Sequence, residues 1–232
     1  MGKKNKKLYN NIDYKKKYSL DEASKLVTQQ LFTKFDSSVD VAICLGVDPK
    51  KPNQMIRGTV NLPYGTGKNV RVLALIPPER EKEIKNAGAE YIGLDNYIKK
   101  IYNGWLEFDV IVTIPSVMIK LGPLGQILGP RGLMPNPKAG TVTQNPKKSI
   151  NEIKYGKIEF KVDKYGIIHN GIGKVSFGFE KIKQNFLKLI SVLNKKKPST
   201  FKGIYFKKIY LSSTMGPSIS VNLLKSCSYL KN

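Results

Sequence analysis

Two short stretches restrict the fold more than any other part of the chain: "VRVLALI" at 70–76 and "DVIVTI" at 109–114. Both are nearly unbroken apolar runs. A strand with one face in water alternates apolar and polar residues, whereas a continuous run belongs to a strand covered on both faces, as in sheets flanked by helices. The text around them is helical in kind. "PEREKEIKNAG" opens with proline and acid and closes at Gly88, "YIKKIYNGW" carries a second short helical pattern, and "NPKKSINEIKYG" a third. Strand alternating with helix from Val70 to about Tyr155 predicts a layered βαβ segment.

On either side the pattern changes. "SLDEASKLV" places Glu22 three residues after Ser19, a capping box, and starts a helix running to about Leu31 with Ala23, Val27 and Leu31 on one face. "VDVAICLGV" alternates through Val39, Val41, Ile43, Leu45 and Val47, and "DPKKPNQ" then turns into "MIRGTVNL", which predicts a β-hairpin. Beyond Tyr155, "KIEFKVDKYGIIHN" predicts a second hairpin turning at Lys164 to Gly166. In "FEKIKQNFLKLISVLN", Ile182, Phe186, Leu189, Ile190 and Leu193 form one helical stripe. "GIYFKKIYLSSTMGPSISV" reads as a final strand running past a Gly-Pro interruption. Similar elements at both ends of the layered segment suggest that the segment is an insertion. The paired glycines of "GTGK", Gly65 and Gly67, suit a flexible joint before an extended run, and the opposite joint falls in "KYGK", at Tyr155 and Gly156.

Charge points to the partner. The 232 residues carry 40 Lys plus Arg against 17 Asp plus Glu, net +23, an excess characteristic of proteins held against a polyanion. Only Arg57, Arg71, Arg80 and Arg131 are arginines, so most cationic contacts are lysine point charges suited to phosphate neutralisation rather than to bidentate base reading. Residues 66–155 hold 13 basic and 8 acidic residues, net +5, and the rest hold 27 and 9, net +18. The flanking parts are therefore expected to carry the polyanion.

Other function classes find little support. "GTGK" lacks the first glycine of a phosphate loop, has Asn69 where Ser or Thr would hold magnesium, and opens a strand. His169 is the single histidine and has no acid or cysteine beside it in sequence to form a dyad or metal set, and no Ser-His-Asp order, HExxH or GxSxG occurs. No catalytic residues, metal or cofactor are expected. Cys44 and Cys227 stand far apart, without a disulfide or zinc spacing, which fits the cytosol. The lysine-rich start lacks an apolar stretch behind it, so neither export nor membrane insertion is expected, and residues 1–18 read as a basic tail. Phe35, framed by Lys34 and Asp36 ahead of a strand, suits either packing or a ligand; "SSTMGPS" at 212–218 suits either a strand end or a surface for sugars and 2′-hydroxyls.

The blocks "GTVNLPYGTGK", "AGAEYIG", "GWLEFDVIVTIPSVM", "LGQILGPRGLMPNPKAGTV", "IKYGKIEFKVDKYGIIHNGIGKVSF" and "TMGPSISVN" together resemble, in order, the bacterial large-subunit ribosomal protein L-one family. The resemblance runs over essentially the whole chain from about residue 19. It implies an α/β protein of two domains: a discontinuous α+β RNA-binding domain from residues 19–65 and 156–232, and an inserted Rossmann-like three-layer α/β domain at 66–155. It further implies a cytoplasmic, ribosome-bound protein, monomeric off the ribosome. Its partners would be the mobile stalk of large-subunit rRNA, exit-site tRNA, its own operon mRNA and other ribosomal components, with no cofactor and no membrane. By position, Lys34, Phe35, Ser38, Thr214, Met215 and Gly216 match the family's RNA surface, and Asp40, His169, Lys174 and Ser176 its surroundings. Ser38 stands where threonine is usual, and Pro123 replaces a basic residue, which weakens a cationic contact in the inserted domain. The loop "ILGPRGLMPNPKAGT" at 127–141 then falls in the inserted domain, as a rigid connector or as a secondary contact of Arg131 and Lys138 with RNA.

Overall fold

A computed structural model of the chain describes Asp13 and residues 16–29, 33–85 and 87–222. Residues up to Gly67 and from Ile158 onward make one compact unit, and Lys68–Lys157 make a second.

In the first unit, helix α1 (Leu20–Gln29) begins with the expected capping box: the Ser19 amide donates to Glu22 Oε2 at 3.0 Å and the Glu22 amide to Ser19 Oγ at 3.3 Å. Ala23 and Val27 are buried, whereas Leu31 lies outside the described residues. Strands β1 (Ser38–Leu45) and β2 (Arg57–Asn61) follow. They do not form the expected hairpin. Both edges of β1 are occupied, by β7 (Ile167–Lys174) and β8 (Phe206–Ser213), so β2 pairs instead with β6 (Lys157–Lys161). The second predicted hairpin does not form either: β7 pairs with β1, and β6 with β2. Its turn is present, with Asp163 Oδ1 accepting from the amides of Tyr165 and Ile167 at 2.8 Å, but it sends β6 and β7 into different sheets.

The four-stranded sheet has the order β7-β1-β8-β9, where β9 is Ile219–Ser220. Contrary to expectation, the chain does not run straight past the Gly-Pro interruption. It reverses, and β9 lies antiparallel to β8 with Leu211 opposite Ile219. Pro217, lacking an N–H, cannot continue a ladder. Tyr18, at the end of the expected basic tail, is buried and bridges Val221, while most of residues 1–17 lie outside the described residues. The inner face of the sheet, with Val39, Val41, Ile43, Ile168, Ile172, Ile209 and Leu211, is covered by α1 and the long helix of residues 178–195. That helix buries the whole predicted stripe from Ile182 to Leu193. Each such side chain removed from water contributes about 1.5–3 kcal/mol.

In the second unit the two apolar runs form β3 (Val72–Leu75) and β5 (Val110–Thr113), joined by β4 (Tyr91–Gly93), a short strand that no pattern had indicated. All three are parallel, in the order β4-β3-β5. Helices α2 (Glu81–Lys85), α3 (Asp95–Tyr102) and α4 (Pro146–Lys154) and the turns over 115–128 cover both faces. Leu73, Leu75 and Ile111 pack with Ile101, Leu121, Leu124 and Leu128. Val72, Ala74 and Val112 pack with Ile84, Ile150 and Ile153. Alternate residues of each strand thus enter separate cores, which explains why β3 and β5 are apolar except at Thr113, whose buried hydroxyl donates to Leu75 O at 2.9 Å. Trp105 sits between α3 and β5, edge-on to Tyr91 at 4.9 Å. The long helix of the first unit, Gly178–Lys195, is α5.

Candidate nucleic-acid interface

One corner of the four-stranded sheet gathers three stretches far apart in sequence. Ser38 opens β1 opposite Lys174, where β7 ends, and Val39 lies opposite Ser213, where β8 ends. Backbone bonds lock the three ends together: the Val175 amide donates to Ser37 O at 2.9 Å and the Thr214 amide to Ser38 O at 3.0 Å. Thr214 Oγ1 donates to that same Ser38 carbonyl at 3.3 Å. Asp36 completes the junction, its two carboxylate oxygens accepting from the Ser176 amide at 3.0 Å and from Ser176 Oγ at 2.7 Å. Those two hydrogen bonds, side chain first, hold the Asp36 carboxyl below its ordinary value, and Lys174, with Nζ 4.0 Å away, adds to the effect.

Two large apolar side chains stand in water at this corner, Phe35 at 62% and Met215 at 72% exposure. Exposed apolar groups rimmed by polar ones mark surfaces made for a partner. Of the two residues in this turn, glycine is the one that tolerates a left-handed backbone without cost. Instead, Met215 takes the left-handed conformation, with φ of 62°, and the Gly216 amide closes the turn onto Ser213 O at 2.8 Å. A side chain held there costs about 1–2 kcal/mol, strain that is characteristic of functional sites.

The outer face of the sheet continues from this corner. An extra residue, Ile172, bulges β7 between Gly173 and Gly171, so that Asp40 lies between Gly171 and Ser212, and Ala42 between His169 and Tyr210. Asp40, Ala42, His169, Asn170, Gly171 and Ser212 line an open concavity of about 330 Å³. Gly171 keeps it open, since a Cβ there would lie 3.2 Å from Asp40 Oδ1. His169 is exposed, with Nε2 4.0 Å from Asp163 Oδ2. All ten residues expected at the RNA surface or its surroundings therefore lie along one end and outer face of one sheet.

Arg131 and Lys138 belong to the second unit, and both are exposed on a tightly bonded loop. Thr141 Oγ1 donates to Asn136 O at 3.1 Å and accepts from the Asn136 amide at 2.8 Å, and the Thr113 amide donates to Thr141 O at 2.9 Å. At the proposed joints, Gly65 and Gly67 are left-handed at φ 65° and 70° and Gly156 at 102°, while Tyr155 is exposed. Asp36 belongs to the junction as well, and an acid beside Lys34 and Phe35 in a basic chain is its signal in the sequence. Asn185 escaped notice altogether. Fully buried on the stripe of α5, it accepts from the Tyr64 amide at 3.1 Å and donates to Gly65 O at 3.0 Å and Ile172 O at 2.8 Å. A polar residue at helical spacing among Ile182, Phe186 and Leu189 was its signal.

Among the described residues no group of three or more His, Cys, Asp or Glu could hold a metal ion, and no helix is long and apolar enough to cross a membrane. The profile of the ribosomal protein L1p/L10e family matches residues 24–217. The chain is 58% identical to the large ribosomal subunit protein uL1 of Flavobacterium psychrophilum, covering 95% of this chain and 96% of that one. It is also 58% identical to that of Bacteroides fragilis, over 96% and 97%, and 54% identical to that of Amoebophilus asiaticus, over 95% of each.

Proposed function

The chain belongs to the ribosomal protein L1p/L10e family, and from that premise we propose that its β1–β7–β8 corner is the surface that binds the mobile stalk of large-subunit rRNA. The protein is a structural component of the large ribosomal subunit in the bacterial cytoplasm and not an enzyme. The observation that carries the finer reading is the junction itself, where Lys34, Phe35, Ser38, Lys174, Ser176 and the Thr214-Met215-Gly216 turn converge from three chain stretches. Lysines supply phosphate neutralisation and a bonded backbone supplies a fixed shape, the two requirements for recognising folded RNA. Residues 19–65 with 156–232 act as the RNA-binding domain. The inserted domain is hinged at Gly65 and Gly67 and at Tyr155 and Gly156, its 127–141 loop acts as a rigid connector, and the protein assists release of exit-site tRNA. The same corner binds a mimic of the stalk on the operon mRNA and represses translation.

The test is binding of the purified protein to the isolated stalk fragment across salt, with duplex DNA as competitor. About six phosphate contacts predict a fall on the order of 10³-fold in affinity between 50 and 200 mM salt. Stalk RNA should still outcompete bulk duplex DNA. A flat salt response, or no preference for the stalk, overturns the reading.

A further inference from the structure

Ser176 and Thr214 differ from ordinary surface hydroxyls in where their protons point. Ser176 Oγ lies 2.7 Å from Asp36 Oδ2, and an ionised carboxylate can only accept, so the Ser176 proton is committed to Asp36. Thr214 Oγ1 lies 3.3 Å from the Ser38 carbonyl, which also can only accept. Each hydroxyl spends its proton inside the protein and keeps lone pairs that can accept, on an exposed residue at Ser176 and a half-buried one at Thr214.

We propose that Asp36 makes Ser176 an acceptor-only oxygen that takes a hydrogen bond from a ribose 2′-hydroxyl, with Thr214 as a second such acceptor, so that this corner selects RNA over DNA of the same sequence. The inference rests on the RNA-binding reading of the corner and deepens it. A phosphate oxygen offers no proton and is repelled by both the bare Ser176 oxygen and the Asp36 charge. Phosphates are left to the lysines, Lys34 exposed in the loop before β1 and Lys174 beside Asp36. The 2′-hydroxyl is both donor and acceptor and is absent from DNA, so an acceptor-only partner detects it through its proton. Hydrogen bonding to Ser176 and the nearby Lys174 keep Asp36 ionised, and this holds the arrangement at neutral pH. Asp36 is a positioning residue: it bonds Ser176, and Ser176 meets the ribose.

The experiment measures binding of the full chain to the stalk fragment carrying 2′-fluoro nucleotides one position at a time. Fluorine keeps the RNA sugar pucker but donates no hydrogen bond. At one or two positions the wild-type protein should lose about 3- to 10-fold, the worth of one or two hydrogen bonds. Ser176→Ala should lose a similar factor on unmodified RNA and nothing further at one of those positions, because a contact already removed cannot be lost twice. In Asp36→Asn the amide NH₂ can turn to Ser176 Oγ and release its proton, so the gap between RNA and 2′-fluoro RNA should narrow while the stalk is still bound. Thermal melts of both variants show that they fold.

Full affinity at every 2′-fluoro position overturns the inference and leaves stalk binding intact. So does a loss confined to replacing guanosine with inosine, which would assign the donor to a base amino group. Additive losses for Ser176→Ala and 2′-fluoro also overturn it. Failure of the wild-type protein to bind the unmodified stalk overturns both the inference and the functional reading beneath it.

Discussion

Replacing Met215 with glycine should make the protein more stable and a poorer RNA binder at the same time. Met215 sits at φ 62° with 72% of its surface in water. Removing its Cβ relieves about 1–2 kcal/mol of left-handed strain. Glycine gives back about 0.5–1 kcal/mol through the greater freedom of the unfolded chain. Little burial is lost, so a net gain of about 0.5–1 kcal/mol remains, a rise in Tm of about 1–4 °C for a chain of this size. Urea titration and a thermal melt measure it. On the stalk fragment, loss of a thioether that would otherwise be covered by RNA costs about 1.5 kcal/mol, or roughly tenfold in Kd. Opposite signs are the signature of strain maintained for binding. A variant less stable than wild type would refute the strain argument, and one more stable with unchanged affinity would show that the turn is only a strand reversal.

Gly216→Val should weaken stalk binding about 10- to 100-fold by adding bulk beside the Gly216 amide where RNA approaches. Lys195→Ala, at the exposed end of α5, should weaken it only mildly and lower the salt slope; equal small losses in a gel-shift titration would remove the turn from the site. Asn185→Ala leaves the Tyr64 amide and the Gly65 carbonyl without their buried partner, and urea unfolding should register about 2–4 kcal/mol. Tyr205 is pushed up to about 12 by burial. Its neutral form is thus favoured in the folded state, and its contribution, complete below pH 10, is lost as pH rises from 10 toward 12, an onset that ultraviolet titration of tyrosinate locates. Asp109 is held low by its hydrogen bonds from Arg71, so its contribution is present above the ordinary carboxylate range and fades as pH falls below it; a stability profile that stays level down to pH 2 would contradict the pairing.

Much of the fold was legible because its signals are local. Ser19 and Glu22 close a capping box within one turn, the stripe from Ile182 to Leu193 needs only helical periodicity, and the unbroken runs of β3 and β5 report helices on both faces of their sheet. For the candidate surface, the residues alone left Phe35 between packing and a ligand and "SSTMGPS" between a strand end and a sugar-facing surface, and the family resemblance singled them out. Strand pairing was not legible. Alternation in β1 says that one face is buried but not which strands flank it; the first predicted hairpin failed because β7 and β8 occupy both edges of β1, and the second because β6 pairs with β2 while β7 pairs with β1. Strand β4 was missed because three residues are too few to carry a period.

Hydrogen-bond direction and backbone handedness were likewise settled only in three dimensions. Met215 rather than Gly216 is left-handed because the turn must return β9 to the edge of β8. Asp36 acquires its role only when Ser176, 140 residues away, is brought to its carboxylate. The sequence by itself determined the main helices, their apolar faces and where positive charge accumulates, because propensity, periodicity and charge act over a few residues. The tertiary structure alone decided which distant ends meet at the sheet corner and which of their polar atoms remain open to a partner, because those depend on contacts between residues that sequence spacing does not relate.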